Sequence, residues 1–80
     1  MISDNCYPTE HFIPLNGEPF MVGRITINKV HNGLSVEIDI LQKESRKIFK
    51  AVGRLYGIDN EHEALDLGIQ KLSDYLNSLR

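Results

Sequence analysis

The sequence has only one cysteine, Cys6, among its 80 residues. An internal disulfide is therefore excluded, and a lone cysteine fits a reducing compartment. Cys6 lies in a polar N-terminal stretch and is not expected to act as a nucleophile. No apolar run approaches the roughly 18–20 residues that a membrane-spanning helix needs, and no signal-peptide pattern is recognised. A cytoplasmic location is expected.

The sequence also lacks a strong excess of either charge, since 9 Lys and Arg against 11 Asp and Glu give a net charge of −2. Such a balance creates no strong field towards nucleic acid or an anionic membrane. The basic residues are nevertheless concentrated between positions 43 and 54, which makes a nucleic-acid-binding segment an alternative. These residues are Lys43, Arg46, Lys47, Lys50 and Arg54.

Internal repeats, low-complexity runs and linkers are absent from the sequence. We predict a flexible N-terminal lead over residues 1–8, followed by a single domain over residues 9–80. A chain of this length buries only about 60–65% of its unfolded surface, so its core is thin. Small domains without disulfides often gain stability by self-association.

Two Asn-Gly pairs, at positions 16–17 and 32–33, stand between alternating apolar residues. Asn-Gly is a strong hairpin signal because the tight turn needs positive φ. A two-residue loop at the first pair predicts that Ile13 lies opposite Phe20. A two-residue loop at the second pair predicts that Ile27 lies opposite Ile38.

The apolar alternation of the second strand changes phase at Gly23, which predicts a β-bulge there. Residues 46–56 fit either a helix or a fourth strand. A turn over residues 42–45 sets Glu37 against Lys50, an opposite-charge pair, and Gly53 costs about 1 kcal/mol in a helix interior. These observations favour a strand.

The last segment carries an apolar stripe of helical period. The stripe and its flanks are Leu65, Ile69, Leu72, Leu76 and Leu79, with Ala64, Gly68 and Tyr75. Gly68 is expected on the buried side, where a missing side chain allows close approach to a sheet, and Leu67 on the opposite side. Asn60 is the predicted N-cap, with Asp59 as the alternative and Glu63 at the third helical position.

The predicted fold class is α+β, with a four-stranded antiparallel meander and one C-terminal helix on one sheet face (ββββα). The other sheet face and strand four are the predicted interaction surface. Strand one is protected from edge pairing by its prolines, whereas strand four contains no proline. The candidate interaction residues are Ile48, Lys50, Val52, Arg54, Tyr56 and Leu67.

The stretch GIDNEHEALDLG, residues 57–68, places carboxylates beside an imidazole. His62 and Asp66 share a helix face, but two ligands do not make a zinc site. The acidic residues fall in the first helical turn, where they favour the positive end of the helix dipole. The sequence therefore predicts no catalytic residue, no metal site and no cofactor.

The hairpin around LNGE, followed by strands and a GID…EALDLG helix start, resembles a family of small bacterial proteins of unknown function. The matching positions are Gly57, Ile58, Asp59, Ala64, Leu65 and Leu67. The resemblance implies a fold for residues 9–80 and no activity. We expect a non-enzymatic protein that acts through protein–protein contact, as a homodimer or on an unknown partner, with an immunity-type accessory protein as an alternative.

Overall fold

The computed structural model describes residues 7–79 as four antiparallel strands with one helix packed against the sheet. The strands are β1 (Thr9–Pro14), β2 (Met21–Val30), β3 (Gly33–Gln42) and β4 (Ile48–Ile58), and the helix is α1 (Glu61–Ser78). The sheet order is β1-β2-β3-β4, so each strand pairs with its neighbour in the chain. The predicted ββββα fold is confirmed, and the ambiguous segment is the strand β4.

One residue of the predicted N-terminal lead, Tyr7, contacts the folded domain. Tyr7 is half-buried and packs against the hydrophobic core, two residues before the expected start at Thr9. Residues 1–6 of the predicted lead lie outside the described residues.

The core lies between α1 and the two central strands. Ile25 pairs with Ile38 across the strands, and Ile27 pairs with Val36. All four side chains have no exposed surface. Burial of these side chains stabilises the fold by about 25 cal/mol for each Å² of apolar surface removed from water. The helix contributes its buried positions to the same core, namely Ala64, Gly68 and Leu72.

Gly68 is the point where α1 approaches the sheet most closely, as the sequence predicted. A Cβ added there would lie 2.8 Å from Ile25 Cγ2 and 3.3 Å from Val36 Cγ1. Both neighbours are β-branched and fixed in the core, so they have little freedom to move away. A glycine is therefore required by packing at a helical position that otherwise favours alanine.

We expect Gly68→Ala to lower the free energy of unfolding by about 1 kcal/mol. The steric cost of overpacking, about 1–3 kcal/mol, outweighs the gain of about 1 kcal/mol in helix propensity. Urea denaturation followed by circular dichroism measures the change. Gln70→Ala, at an exposed position of the same helix, is the control and should change stability by less than about 0.5 kcal/mol. Stabilisation by Gly68→Ala would contradict the packing argument.

The first hairpin differs from its predicted register. Ile13 pairs with Gly23 rather than with Phe20, and residues 15–20 form the connection. The Asn-Gly turn does form, because Glu18 N donates to Leu15 O at 3.1 Å. In the predicted register the next pair would join Pro14 to Pro19, and neither residue has an N–H for the ladder. Strand β2 therefore resumes only at Met21.

This register also removes the predicted bulge at Gly23. Strand β2 pairs with both neighbours without a register shift. The apolar alternation changes phase at Gly23 for two reasons. Phe20, 73% exposed, precedes the strand and is not part of the core. Val22 lies on the sheet face away from α1, where Leu41 is its partner.

In the second hairpin, the pairing partner of each β2 residue is shifted by two positions along β3 relative to the prediction. Val30 pairs with Gly33, so the loop is one residue earlier than predicted, and Ile27 pairs with Val36 rather than with Ile38. Side chains alternate with a period of two, so a shift of two leaves each one on its predicted face.

Gly33 follows the loop of this hairpin and has a φ of +126°. Residues with a side chain rarely adopt this backbone conformation. A Cβ there would lie 2.9 Å from Ile58 O on the adjacent strand. The predicted loop over Asn32 and Gly33 would need positive φ at both residues. In the observed hairpin Gly33 has positive φ and Asn32 does not, so the earlier loop avoids that conformation at a residue with a side chain.

The third hairpin has a loop over residues 43–47 and an irregular ladder. Register shifts occur at three places along the pairing of β3 with β4. Glu37 therefore pairs with Arg54 instead of the predicted Lys50. Glu37 does have a basic partner across the strands, but it is Arg54 rather than Lys50, because bulges move one strand past the other.

Candidate interaction surface

Within residues 7–79, no second layer of secondary structure covers the sheet face opposite α1, and we call this face the open face. Its polar side chains alternate along the strands with the core residues that contact the helix. Its members are Glu10, Phe12, Val22, Arg24, Glu37, Asp39, Leu41, Ile48, Ala51, Arg54 and Tyr56.

Arg24 lies at the centre of the open face between two carboxylates. Its Nη2 donates to Asp39 Oδ2 at 2.9 Å, and its Nη1 donates to Glu10 Oε2 at 3.4 Å. Arg24 and Asp39 are direct partners across β2 and β3, which sets the geometry of the pair. The Asp39 side chain is 10% exposed, so loss of the guanidinium would leave a nearly buried carboxylate without its ion-pair partner.

A second ion pair joins Arg54 to Glu37, direct partners across β3 and β4. Arg54 Nη1 also donates to Tyr56 Oη at 3.3 Å. Tyr56, followed by Glu37, raises the pKa of the Arg54 guanidinium above its ordinary value. Arg54 is therefore a permanent cation held in place beside an exposed tyrosine ring.

One end of the open face is covered by a stacked arginine. The guanidinium carbon of Arg46 lies 4.8 Å from the centroid of the Phe12 ring, within the range of a cation–π interaction. Arg46 has a positive φ of 61° in the β3–β4 loop. Both residues line a hollow over Leu41, which is only 1% exposed. Sequence reasoning missed this contact, since no local pattern gives the backbone conformation of Arg46.

The middle of the open face forms a shallow groove of about 470 Å³. The groove is lined by both ion pairs and by Ile48, Ala51 and Gly53. Ile48 is 58% exposed and Tyr56 is 64% exposed. Large apolar and aromatic side chains thus remain in water beside one part-buried ion pair, Arg24–Asp39, and one exposed ion pair, Arg54–Glu37.

The structure divides the predicted interaction residues among several places. Ile48, Arg54 and Tyr56 lie together on the open face. Val52 packs against the core. Lys50 pairs with the core residue Ile40. Leu67, 37% exposed, lies on α1 away from the open face.

Strand β4 is an edge strand, as predicted, and it has no proline. Its ladder with β3 is interrupted by bulges, however. Bulges at an edge twist the strand and discourage pairing with another chain. The structure therefore favours the open face over the β4 edge as a contact surface.

The start of α1 is capped as predicted. Asn60 is the N-cap, and its Oδ1 accepts a hydrogen bond from Glu63 N at 2.8 Å. The alternative cap, Asp59, is exposed and precedes the capping residue. Glu61 and Glu63 lie in the first turn, where their charges favour the helix dipole.

Glu61 has a further role that the sequence did not indicate. Tyr7 Oη donates to Glu61 Oε1 at 3.2 Å, and His11 Nε2 lies 3.9 Å from Glu61 Oε2. These contacts join the N-terminal end of the described chain and β1 to the start of the helix.

His62 and Asp66 face each other across one helical turn at 3.4 Å, and both are largely exposed. Within residues 7–79, no group of three or more His, Cys, Asp or Glu is placed to hold a metal ion. Among residues 7–79, no helix combines the length and the apolar composition that crossing a membrane requires.

The predicted basic segment does not form one continuous surface. Arg46 stacks on Phe12 and Arg54 pairs with Glu37. Lys43 and Lys47 lie in the β3–β4 loop. Two of the five basic side chains thus already contact groups within the chain, which reduces the charge available to phosphates.

No protein-family model, no curated protein and no solved structure matches this chain. The resemblance to a family of small bacterial proteins therefore stays a prediction.

Proposed function

We propose that this protein is a non-enzymatic interaction protein that forms a homodimer by placing its open face against the open face of a second copy. The observation that carries the proposal is a sheet covered by a helix on one side only, with Phe12, Ile48 and Tyr56 exposed on the other.

The composition of the open face supports protein contact. Interface centres are enriched in arginine and aromatic residues and depleted in lysine. The open face presents Phe12, Tyr56 and three arginines, and the arginines are oriented by contacts within the chain. Side chains that are already ordered lose less conformational entropy when a partner binds.

The charges of the open face suit contact with an identical surface. Three carboxylates, on Glu10, Glu37 and Asp39, accompany three guanidiniums, on Arg24, Arg46 and Arg54. The face is neutral as a whole, so two copies meet without net repulsion, and alternating charges can select one register.

The dimensions of the molecule are sufficient for such a dimer. The chain measures 40 × 25 × 16 Å, so it is a thin slab with broad faces. A standard interface buries about 800 Å² on each partner. The open face, as one broad side of the slab, has an area of that order.

We expect the protein to sediment at twice its chain mass of 9.1 kDa at high micromolar concentration, and Ile48→Glu to return it to the monomer. The substitution places an unpaired charge within the interface, where burial without a partner is costly. Analytical ultracentrifugation over a concentration series measures the equilibrium.

Leu67→Glu is the matched control, because it adds the same charge at an exposed apolar position on α1. It should leave the dimer intact, and circular dichroism should show both variants folded. A wild-type monomer at high micromolar concentration, or a dimer that survives Ile48→Glu, overturns the proposal.

Two other proposals have weaker support. Binding of nucleic acid by residues 43–54 predicts salt-dependent affinity that Lys47→Ala weakens. A different protein partner, as for an immunity-type accessory protein, would bind the same open face. In that case the chain by itself would be a monomer. A cytoplasmic location is part of our proposal for this protein.

A further inference from the structure

A second apolar surface lies on the helix side of the sheet, remote from the open face. It is a cleft between the last two turns of α1 and the end of the sheet where β1 stops and β2 begins. Two cavities, of about 490 and 170 Å³, share Leu15, Glu18, Leu76 and Leu79 in their walls. We refer to this feature as the terminal cleft.

The terminal cleft lies where the burial of α1 decreases towards its C-terminal end. Ala64, Gly68 and Leu72 are buried, Leu76 is only half-buried, and Leu79 is 65% exposed. The apolar stripe thus continues beyond the part of the sheet that can cover it. Phe49, 57% exposed, adds an aromatic wall on the opposite side. Clustered exposed apolar side chains of this kind mark binding grooves more often than ordinary surface.

The charge of the terminal cleft has one sign. Glu18 is the only charged side chain among the described residues that line the two cavities. Helix α1, Glu61–Ser78, has no basic residue in its last turn. The carbonyl groups at the end of the helix carry the negative end of the helix dipole. No cationic side chain of the last turn neutralises that partial charge.

The walls of the cleft disfavour an extended occupant. A peptide added as a strand needs the free N–H and C=O groups of a sheet edge. One edge strand at the cleft, β1, ends at Pro14, a residue without an N–H that itself lines the cleft. The other, β4, contributes Phe49 to the wall, and its ladder is interrupted by bulges. An amphipathic helix needs only an apolar groove and side-chain pockets, and the larger cavity falls within the range of about 300–1,000 Å³ that ligand sites occupy.

From these observations we propose that the terminal cleft binds an amphipathic helical segment of a partner protein that carries lysine or arginine beside its apolar face. The apolar side chains of the segment fill the space over Leu76 and Leu79. Its basic residues reach Glu18 and the carbonyl groups at the end of α1. This site is independent of the proposed dimer, which uses the other side of the sheet.

The test uses three short peptides with the full chain: one with leucine and lysine placed at helical period, one with glutamate in place of lysine, and one with the first composition in scrambled order. Backbone-amide chemical shifts followed by NMR locate the binding site and give the affinity. We expect the leucine–lysine peptide to shift Glu18, Leu76 and Leu79, and to bind at least about tenfold more tightly than either other peptide.

Leu79→Ser is expected to weaken binding about tenfold without unfolding the protein, because the side chain is already mostly exposed. Glu18→Gln should reduce the preference for lysine over glutamate. Leu67→Ser, outside the cleft, is the control and should bind as the wild type does. Ile48→Glu should also bind normally, which separates this proposal from the dimer. Absence of binding at millimolar peptide, equal binding of the scrambled peptide, or shifts confined to the open face overturns it.

Discussion

Replacing Leu72 with alanine is expected to lower the free energy of unfolding by about 3 kcal/mol. Leu72 is 2% exposed and its Cδ2 lies over Gly23, where an added Cβ would be only 2.5 Å away. Removing a buried leucine side chain loses its transfer free energy and leaves a cavity, at a cost of about 2–5 kcal/mol. The middle of that range applies because Gly23 has no side chain with which to fill the space.

Leu67→Ala provides a control within the same helix. The substitution and the change in helix propensity are identical, but Leu67 is 37% exposed. Its effect should stay below about 1 kcal/mol. Thermal unfolding at low protein concentration, where the monomer dominates, should show Leu72→Ala melting more than about 10 °C below the wild type. Equal effects from the two substitutions would contradict the packing of α1 described here.

Asp39→Ala is expected to lower the free energy of unfolding by about 2 kcal/mol. The substitution leaves Arg24 with Glu10 at 3.4 Å as its remaining partner. Breaking a fully buried ion pair costs about 3–5 kcal/mol. The smaller value applies because the Arg24 side chain is 23% exposed and water can solvate part of the guanidinium.

Glu37→Ala is the matched control for this ion pair. Glu37 lies two residues before Asp39 on the same face and also pairs with an arginine, but its side chain is 42% exposed. Exposed pairs contribute little to stability, so Glu37→Ala should be close to neutral in urea denaturation. Asp39→Asn keeps the shape and removes the charge, so it should fall between wild type and Asp39→Ala. A neutral Asp39→Ala would show that the pair does not stabilise the sheet.

The sequence predicts the elements of this protein better than their pairing. The buried positions Ala64, Gly68 and Leu72 follow from local periodicity, and the cap at Asn60 follows from hydrogen-bonding chemistry; the structure confirms both. Ile69, which the apolar stripe also includes, is 39% exposed. Gly68 was expected on the buried side for the same reason. These features depend on residues within one or two helical turns of each other.

The registers of the hairpins were less well predicted, for reasons that lie outside each turn. The first register is wrong because Pro14 and Pro19 would have faced each other without N–H groups. The second is shifted by two because the observed loop keeps positive φ at Gly33 and does not need it at Asn32. The shift by two preserves the faces, so Ile25, Ile27 and Ile38 still reach the core.

The interaction surface required the tertiary structure. Alternation correctly assigns Arg24, Glu37 and Asp39 to one side of the sheet, since β2 and β3 pair without a register shift. In β4 it assigns Lys50, Val52 and Arg54 to that side, and the structure places only Arg54 there. Their partners depend on bulges in β4, which move Arg54 opposite Glu37 and turn Val52 towards the core. The contact of Arg46 with Phe12 joins residues on distant strands, and only the folded chain brings them together.

The sequence by itself determined four strands, a capped C-terminal helix and two kinds of sheet face, because side-chain periodicity and turn chemistry are local properties. Only the tertiary structure decided the strand registers, the ion pairs of the open face and the terminal cleft. These depend on where proline interrupts a ladder, where glycine allows close approach, and where the helix extends past the sheet that covers it.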